Sequence, residues 1–225
     1  MNLNLLRNIE AILFDLDGTL VDSMGIWGEI DREFMTSRGL ELPEDLQQQI
    51  EGLSMDETAL YFKEHFDLKE SVEELMEIWN QMALEHYRHS IPLKPGAKAF
   101  LKEVVSRGIK CGIASSNSAF LVDEALRAHG IEKYIRTFVT AGEVKSSKPN
   151  PDVYLEAARR LGADPETCLV FEDILPGIMA GVNAGMKTCA IWDNYSGDCW
   201  EEKKKLADYW ITDYNDLLEG TGAAV

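Results

Sequence analysis

The chain has 225 residues, of which 45% are hydrophobic and 27% are charged, and this composition excludes a largely disordered or fibrous protein. One sizeable domain with a smaller insertion is the economical expectation at this length. A formal net charge of −17 makes nucleic acid and anionic membranes unexpected partners. A site for a phosphate ester must therefore supply its own positive charge locally.

The four cysteines show no C-x-x-C spacing, and we expect free thiols in a reducing cytoplasm. The N-terminal segment MNLNLLRNIE has too short an apolar run for a signal peptide. No apolar stretch of about 18 residues exists to span a membrane. We therefore expect a cytoplasmic protein and take a monomer as the working expectation, although no sequence feature determines the oligomeric state.

Short apolar runs alternate with segments of helical periodicity along most of the chain. The predicted strands are Ala11–Phe14, Ile109–Ala114, Thr137–Val139, Cys168–Phe171, Lys187–Ile191 and Tyr209–Ile211. The predicted helices between them are Gly96–Ser106, Ser118–His129, Pro151–Leu161 and Leu175–Ala184. This alternation predicts an α/β fold in which helices cover both faces of a parallel sheet. The charged run Glu201–Lys205 is expected to be a solvated helix face.

Between Asp22 and Ile91 the pattern changes to successive helices without a convincing strand. The predicted helices there are Trp27–Ser37, Pro43–Gln49, Met55–Glu64 and Val72–His89. Prolines at positions 92 and 95 indicate a rigid return to the sheet. The sequence therefore predicts a core domain of residues 1–22 and 92–225, and a helical domain of residues 23–91 inserted after the first strand.

Two aspartates follow the first predicted strand, in the stretch Asp15-Leu16-Asp17-Gly18-Thr19. Because side chains alternate along an extended segment, Asp15 and Asp17 are expected on the same side. Two carboxylates about 4 Å apart repel by roughly 4 kcal/mol at an effective dielectric near 20, so the pair needs a cation or a shared proton. Mg²⁺ suits such a site because it takes one or two carboxylates together with a substrate phosphate.

Charged side chains also follow later predicted strands. Glu172 and Asp173 follow Cys168–Phe171, and Asp173 would complete a metal site if that strand lay beside the first; taken alone, the pair also fits an ordinary turn. Lys148 precedes Pro149-Asn150-Pro151, a stiff loop that would hold an ammonium group against phosphate. A lone lysine more often faces solvent.

Ser115, Ser116 and Asn117 lie between a predicted strand and a predicted helix. Hydroxyl and backbone N–H groups at a helix N-terminus form a site for anions. The alternative is that Asn117 or Ser118 only caps the helix. Because these features all follow successive strands of one predicted sheet, we favour a shared phosphate site.

Together these segments resemble the four motifs of the haloacid dehalogenase superfamily. The motifs correspond to Asp15-Leu16-Asp17-Gly18-Thr19, Ser115, Lys148-Pro149 and Glu172-Asp173, and the resemblance covers nearly the whole chain. The insertion after Asp22-Ser23, and Pro176-Gly177 after the fourth motif, look like the helical-cap members of the β-phosphoglucomutase-like branch. The resemblance implies a Rossmann-like core with an inserted α-helical cap domain.

The resemblance also implies a magnesium-dependent phosphatase that acts on a small phosphate monoester. Asp15 would be the nucleophile that becomes a phosphoaspartate, and Asp17 the general acid and then the general base. The implied metal ligands are Asp15, Asp173 and the backbone carbonyl of Asp17. Glu172 is implied either to bind the metal directly or to hold one of its ligands. The implied phosphate-binding residues are Leu16, Gly18, Ser115, Ser116, Asn117 and Lys148.

The main alternative is a sugar phosphomutase of the same branch. Such mutases carry Gly-x-Ser-Arg in a cap loop, where the arginine holds a second phosphate, but the corresponding stretch here is Gly52-Leu53-Ser54-Met55. Methionine cannot form the paired hydrogen bonds of arginine, so a phosphatase is favoured. Dehalogenation is disfavoured by Asp17, and a non-catalytic binding protein by the retention of every motif.

The substrate is not identified by any motif, and phosphorylated sugars, nucleotides and glycolate-like esters are all candidates. The residues that select it are expected in the helical cap. Met24, Trp27 and Trp79 either line the inner face of the cap or belong to its ordinary core.

Overall fold

The computed structural model describes residues 4–219, so the outermost residues of the predicted core domain and of the N-terminal segment, 1–3 and 220–225, lie outside it. The strands are β1 (Ala11–Phe14), β2 (Lys110–Ser115), β3 (Thr137–Thr140), β4 (Cys168–Glu172), β5 (Lys187–Ile191) and β6 (Tyr209–Ile211). They form one parallel sheet in the order β3-β2-β1-β4-β5-β6. The predicted α/β fold is confirmed, and each predicted strand agrees with the structure to within one residue at either end.

The helices follow the strands in the alternating order that the sequence predicts. They are α1 (Met24–Ser37), α2 (Leu46–Ile50), α3 (Met55–His65), α4 (Val72–His89), α5 (Ala97–Ser106), α6 (Ala119–His129), α7 (Asp152–Leu161), α8 (Leu175–Asn183), α9 (Trp200–Leu206) and α10 (Asn215–Glu219). In the part of the chain described here, no helix combines the length and the apolar character needed to cross a membrane.

The central strand β1 shows why these strands are apolar throughout. Ile12 and Phe14 pack into one buried cluster, with α5 and α6, while Ala11 and Leu13 pack into another, with α7 and α8. A parallel strand that is covered on both faces needs apolar side chains at every position. The strand order places the carboxyl end of β1 near the middle of the sheet, between β2 and β4.

The helices α1–α4, residues 24–89, form a helical insertion between β1 and α5. Ser54 and Ser71 begin α3 and α4 with capping boxes, in which each serine and the glutamate three residues later satisfy backbone and side-chain groups reciprocally. The segment that leaves the sheet layer and the segment that returns to it are neighbours, because Val21 and Leu93 form an antiparallel bridge. The insertion therefore sits directly above the end of β1.

The charged run Glu201–Lys205 lies on a helix, α9, and is solvated as predicted except at one residue, Lys203. Lys203 of α9 is only 1% exposed, and its Nζ donates to the backbone carbonyl of Ser196. Burial lowers the pKa of Lys203, although Asp173 and Glu51 oppose that effect. A single buried residue within a run of charges leaves no trace in the local sequence pattern.

Candidate active site

The carboxyl ends of three neighbouring strands bring the predicted site residues together. Phe14 of β1 lies opposite Ile113 of β2 and Phe171 of β4, so the residues that follow each of them meet at one edge. Asp15 therefore lies between Ala114, which precedes Ser115, and Glu172. The adjacency of β1 and β4, which the sequence could not show, is the step that joins the first and fourth motifs.

Three carboxylates form a compact buried cluster at this edge. Asp15, Glu172 and Asp173 each offer an oxygen, and these oxygens all lie within 4.8 Å of one another. Burial raises the pKa of Asp15 well above its usual range, against the opposing charge of Lys148. Burial, followed by the charge of Glu172, raises the pKa of Asp173 to about 8. The cluster is therefore short of positive charge.

Lys148 is the cation that contacts this cluster. Its Nζ lies 2.6 Å from Asp15 Oδ1 and also donates to Glu172 Oε1, and the side chain is 1% exposed. Burial opposes the charge of the ammonium group, but Asp15 and Glu172 outweigh it and raise the pKa of Lys148. The peptide bond between Lys148 and Pro149 is cis. Lys148 thus stays protonated beside Asp15.

Glu172 is held by donors on both of its oxygens. Oε1 accepts from Lys148 and, at 2.7 Å, from the hydroxyl of Tyr154, while Oε2 accepts from the backbone N–H of Asp173 at 3.1 Å. A Cβ on Gly177 would overlap the Glu172 carboxylate, so α8 can approach only because this residue is glycine. Tyr154 was not found by sequence reasoning, since its position in α7 has the pattern of an ordinary core residue.

The donor set of the cluster fits Mg²⁺. The cluster of three buried carboxylates forms ion pairs with Lys148 alone among residues 4–219. Asp173 accepts neutral hydrogen bonds from Thr19 Oγ1 at 3.0 Å and from Ser196 Oγ at 3.4 Å. Oxygen ligands from carboxylates are those that Mg²⁺ selects in proteins. A divalent cation would remove the excess negative charge that otherwise raises the pKa values of the cluster.

Gly18 serves the site in a different way from the one the resemblance implies. Its φ is +78°, and a Cβ there would overlap the carboxylate of Asp173. Its N–H donates to the carbonyl of Val21 at 2.9 Å and is therefore not free to bind phosphate. Gly18 instead permits the close approach of the first and fourth motifs.

The Asp17 carboxylate lies apart from the acidic cluster and is held by neutral donors. Oδ1 accepts from Ser23 Oγ at 2.5 Å and from the hydroxyl of Tyr87, and Oδ2 accepts from Asn117 Nδ2 at 2.9 Å. Asn117 is therefore directed at Asp17, although the resemblance implied a phosphate contact. Two carboxylates separated by a single residue, Leu16, thus have different surroundings.

Tyr87 links the helical insertion to Asp17. It belongs to α4, and its hydroxyl accepts from Trp27 Nε1 at 3.0 Å and from Asn117 Nδ2 at 2.8 Å. Burial, followed by the charge of Asp17, raises the pKa of Tyr87 well above its usual range, so the phenol remains a donor. Sequence reasoning missed Tyr87 because it falls on the apolar face of a long helix.

Replacing Tyr87 with phenylalanine should lower kcat and leave KM nearly unchanged. The change removes one hydrogen bond to a charged group, which is usually worth about 1.5–3 kcal/mol, and we expect a loss of about 10- to 100-fold. Steady-state phosphate release by Tyr87→Phe measures the effect. Tyr61→Phe is the matched control, because the Tyr61 hydroxyl makes no hydrogen bond to residues 4–219. An equal loss in both variants would contradict the role of Tyr87.

Ser115 and Ser116 occupy different positions at the end of β2. Ser115 is buried, and its Oγ accepts from the backbone N–H of Asn117 at 3.0 Å. Ser116 instead contacts the helical insertion, since its Oγ donates to the carbonyl of Gly52 at 3.4 Å and its carbonyl accepts from the N–H of Met55 at 3.2 Å. Ser115 thus keeps a position suited to phosphate, and Ser116 joins the insertion to the sheet.

A cavity of about 520 Å³ separates the helical insertion from the end of the sheet. Its floor includes Asp15, Lys148 and Asp173, and its wall includes Trp27 and Trp79. Met24 and Met55 also line the cavity. This volume lies within the range of about 300–1,000 Å³ that is usual for small-molecule sites.

The chain belongs to the haloacid dehalogenase-like hydrolase family, whose model matches residues 12–191. The resemblance predicted from the sequence is confirmed at the level of the family, and curated relatives within it are named as phosphatases.

Two curated relatives and one solved structure illustrate the likeness. A phosphorylated carbohydrates phosphatase of Thermotoga maritima is 32% identical over 179 residues, covering 80% of this chain and 83% of the relative. The bifunctional riboflavin kinase/FMN phosphatase of Arabidopsis thaliana is 32% identical over 192 residues, or 85% of this chain, which spans only 50% of that relative. The crystal structure of β-phosphoglucomutase from Clostridium difficile superposes with a TM-score of 0.77 and 26% identity, covering 93% of each chain.

Proposed function

We propose that this protein is a magnesium-dependent phosphatase that hydrolyses a small phosphate monoester through a phosphoaspartate on Asp15. The observation that carries the proposal is the division between the two carboxylates of the first motif. Asp15 lies in a buried acidic cluster beside Lys148, whereas the Asp17 carboxyl is held outside that cluster by neutral donors. A nucleophile and a proton carrier need different surroundings of this kind.

In the first step a carboxylate oxygen of Asp15 bonds to phosphorus as the ester P–O bond breaks, and Asp17 gives its proton to the departing oxygen. In the second step Asp17 takes a proton from water, whose oxygen attacks phosphorus and releases Asp15. Lys148 contacts Asp15 and Ser115 lines the same cavity, which supports a role for both in binding the phosphoryl oxygens, together with the backbone N–H of Leu16. Positioning and charge neutralisation account for most of the catalysis of phosphoryl transfer.

Mg²⁺ would be held by the carboxylates of Asp15 and Asp173 and by the backbone carbonyl of Asp17. When bound, it would neutralise phosphoryl charge and keep Asp15 ionised. Both oxygens of Glu172 already accept hydrogen bonds from the protein, which supports a role in holding Lys148 rather than in direct ligation. Ligands of a metal are commonly oriented by such neighbouring groups.

The helical insertion is proposed to act as the cap of the site, in the domain division of residues 23–91 within 1–22 and 92–225. Its contacts with Asp17 and Ser116 support this role, because they place α1, α3 and α4 over the cavity. A cap in this position would exclude bulk water from the phosphoaspartate.

The proposed substrates are small phosphorylated metabolites. The Thermotoga relative acts on phosphorylated carbohydrates, and the Arabidopsis relative carries an FMN phosphatase. Sugar phosphates and phosphate esters of nucleotide type therefore form the first panel to assay.

Removing the metal should abolish phosphate release. The wild-type protein, stripped with EDTA and returned to Mg²⁺, is assayed on this panel for free phosphate. Mg²⁺ should also raise the Tm of the stripped protein, because an ion that binds only the folded state stabilises it. Asp173→Asn should lose the Tm response, whereas Asp123→Asn, which alters a surface ion pair with Arg127, should keep it. Full activity in stripped protein would refute the metal requirement.

A sugar phosphomutase is the second candidate, because the β-phosphoglucomutase structure shares the fold over nearly the whole chain. Met55, at the position where the mutase motif has arginine, lines the cavity and brings no positive charge. Glucose 1-phosphate, assayed with a trace of the bisphosphate, separates the two functions. Accumulation of glucose 6-phosphate without release of phosphate would favour the mutase.

A further inference from the structure

The loop of residues 193–196, which follows β5, contacts Asp173 although it belongs to none of the four motifs. Because β5 pairs with β4, with Glu172 opposite Ala190, the chain that follows β5 passes beside the residue that follows β4. Ser196 of this loop lines the cavity together with Asp173. Its Oγ lies 2.9 Å from the backbone carbonyl oxygen of Asp173 and 3.4 Å from Asp173 Oδ2. One hydroxyl thus contacts both the main chain and the carboxylate of a proposed metal ligand.

A buried ion pair anchors the start of this loop. Asp193 is 1% exposed, and its Oδ2 accepts from Lys94 Nζ at 2.6 Å. Its Oδ1 accepts from the backbone N–H of Tyr195 at 2.8 Å, which closes a turn directly before Ser196. Lys94 belongs to the segment that returns from the helical insertion, so the loop is tied to the sheet layer at that point. Buried charges persist in proteins when they are paired in this way.

Lys203 holds the other side of Ser196. Its buried Nζ donates to the backbone carbonyl of Ser196, and lysine side chains are rarely buried without such a partner. The main chain of Ser196 is therefore fixed through its carbonyl while its hydroxyl contacts Asp173. The position of that hydroxyl is set by the fold of the loop and α9.

The hydrogen bonds of Asp173 show what Ser196 adds. The fourth motif holds its main chain on one side, because the N–H of Asp173 donates to Glu172 Oε2 at 3.1 Å. The first motif holds one carboxylate oxygen, because Oδ1 accepts from Thr19 Oγ1 at 3.0 Å. The two remaining acceptors, the carbonyl oxygen and Oδ2, receive hydrogen bonds from Ser196 alone among residues 4–219.

We propose that Ser196 is a positioning residue that orients the carboxylate of Asp173 for Mg²⁺. It acts through Asp173 and is not itself a metal ligand. Mg²⁺ demands near-ideal octahedral geometry, so a small displacement of one ligand weakens its binding. Groups that orient a metal ligand typically contribute about 10- to 100-fold to metal affinity. This inference rests on the proposed function, since it concerns the metal site of the phosphatase.

Ser196→Ala tests the proposal by removing the hydroxyl and leaving the carbonyl bonded to Lys203. The wild-type protein and the variant are stripped with EDTA, and the rise of Tm with Mg²⁺ concentration gives the dissociation constant, Kd. The Kd for Mg²⁺ should rise by about 10-fold or more in Ser196→Ala. Ser196→Thr keeps a hydroxyl and should bind Mg²⁺ nearly as tightly as the wild-type protein. Ser106→Ala is the matched control, because the exposed Ser106 hydroxyl also donates to a backbone carbonyl, that of Glu103, and its Kd should not change.

Ca²⁺ separates a positioning role from a general loss of stability. It accepts a more flexible arrangement of oxygen ligands than Mg²⁺ does. Ser196→Ala should therefore weaken the binding of Mg²⁺ more than that of Ca²⁺. A purely structural serine would lower the Tm of the stripped protein and leave both Kd values unchanged. Lys203 is a poorer target, because its charge acts directly on Asp173.

The outcomes distinguish this inference from the proposed function. Equal Kd values for Mg²⁺ in Ser196→Ala and the wild-type protein would overturn the inference and leave the phosphatase standing. A higher KM for a hydrolysed ester with an unchanged Kd for Mg²⁺ would assign Ser196 to substrate binding and also overturn it. A wild-type protein whose Tm does not respond to Mg²⁺ would refute the metal requirement, and the inference with it.

Discussion

Asp15→Asn should lose essentially all phosphatase activity, by on the order of 10⁶-fold as for other enzymes stripped of their nucleophile. The amide cannot attack phosphorus, and it removes one of the carboxylates proposed to hold the metal. Its shape is retained, and Lys148 keeps Glu172 as a partner, so the fold should survive. Free phosphate measures turnover, while acid quenching followed by intact-mass analysis shows whether a phosphoryl group is attached to the protein.

The wild-type protein should carry that phosphoryl group transiently and Asp15→Asn should not. Asp123→Asn, which changes an aspartate of the surface ion pair with Arg127, serves as the control and should match the wild-type protein in both assays. A phosphoryl group found on the Asp15→Asn protein would place the nucleophile elsewhere and refute the proposed mechanism.

Asp17→Asn should lower turnover by about 10²–10⁴-fold, the usual contribution of general acid–base catalysis. Asparagine cannot protonate the leaving oxygen or accept a proton from water. The deficit in the first step should be smaller with p-nitrophenyl phosphate, whose leaving group needs little protonation. Phosphoprotein should then accumulate, because water attack still lacks its base.

Rapid quenching of Asp17→Asn with p-nitrophenyl phosphate separates the two steps. We expect a burst of nitrophenol whose molar amount equals that of the enzyme, followed by slow release of phosphate. A steady rate without a burst, and with no phosphoprotein, would show that Asp17 does not serve the second step.

The elements of the sheet could be predicted well because their signals are local. The run Ala11–Phe14 is apolar at every position, as a strand covered on both faces requires, and its bounds agree with β1. The long helix Val72–His89 was also predicted with the observed bounds, since a capping serine and a clear apolar face mark it. Short helices such as α10 carry too few residues for periodicity to be read.

The candidate site was predictable to the extent that its residues end strands. Asp15 follows β1, Ser115 and Glu172 are the last residues of β2 and β4, and the topology brings them together. Tyr87 and Tyr154 escaped notice because their contacts depend on how helices pack on the sheet. Asn117 was assigned to phosphate, whereas its amide contacts Asp17. Side-chain direction at a loop depends on tertiary neighbours that no local pattern reports.

The contacts of the helical insertion divide into two sets that can change independently. Tyr87 and Gly52 meet the catalytic side of the sheet, and a Cβ on Gly52 would lie 3.0 Å from Pro176 Cβ and 3.3 Å from the carbonyl oxygen of Lys148. Asp31 and Trp79 instead contact other parts of the insertion, Gln47 in the case of Asp31 and Phe34 and Phe62 in the case of Trp79. An exchange of insertions between relatives must therefore keep the first set for the two parts to fit, and must carry the second set over together with its partners.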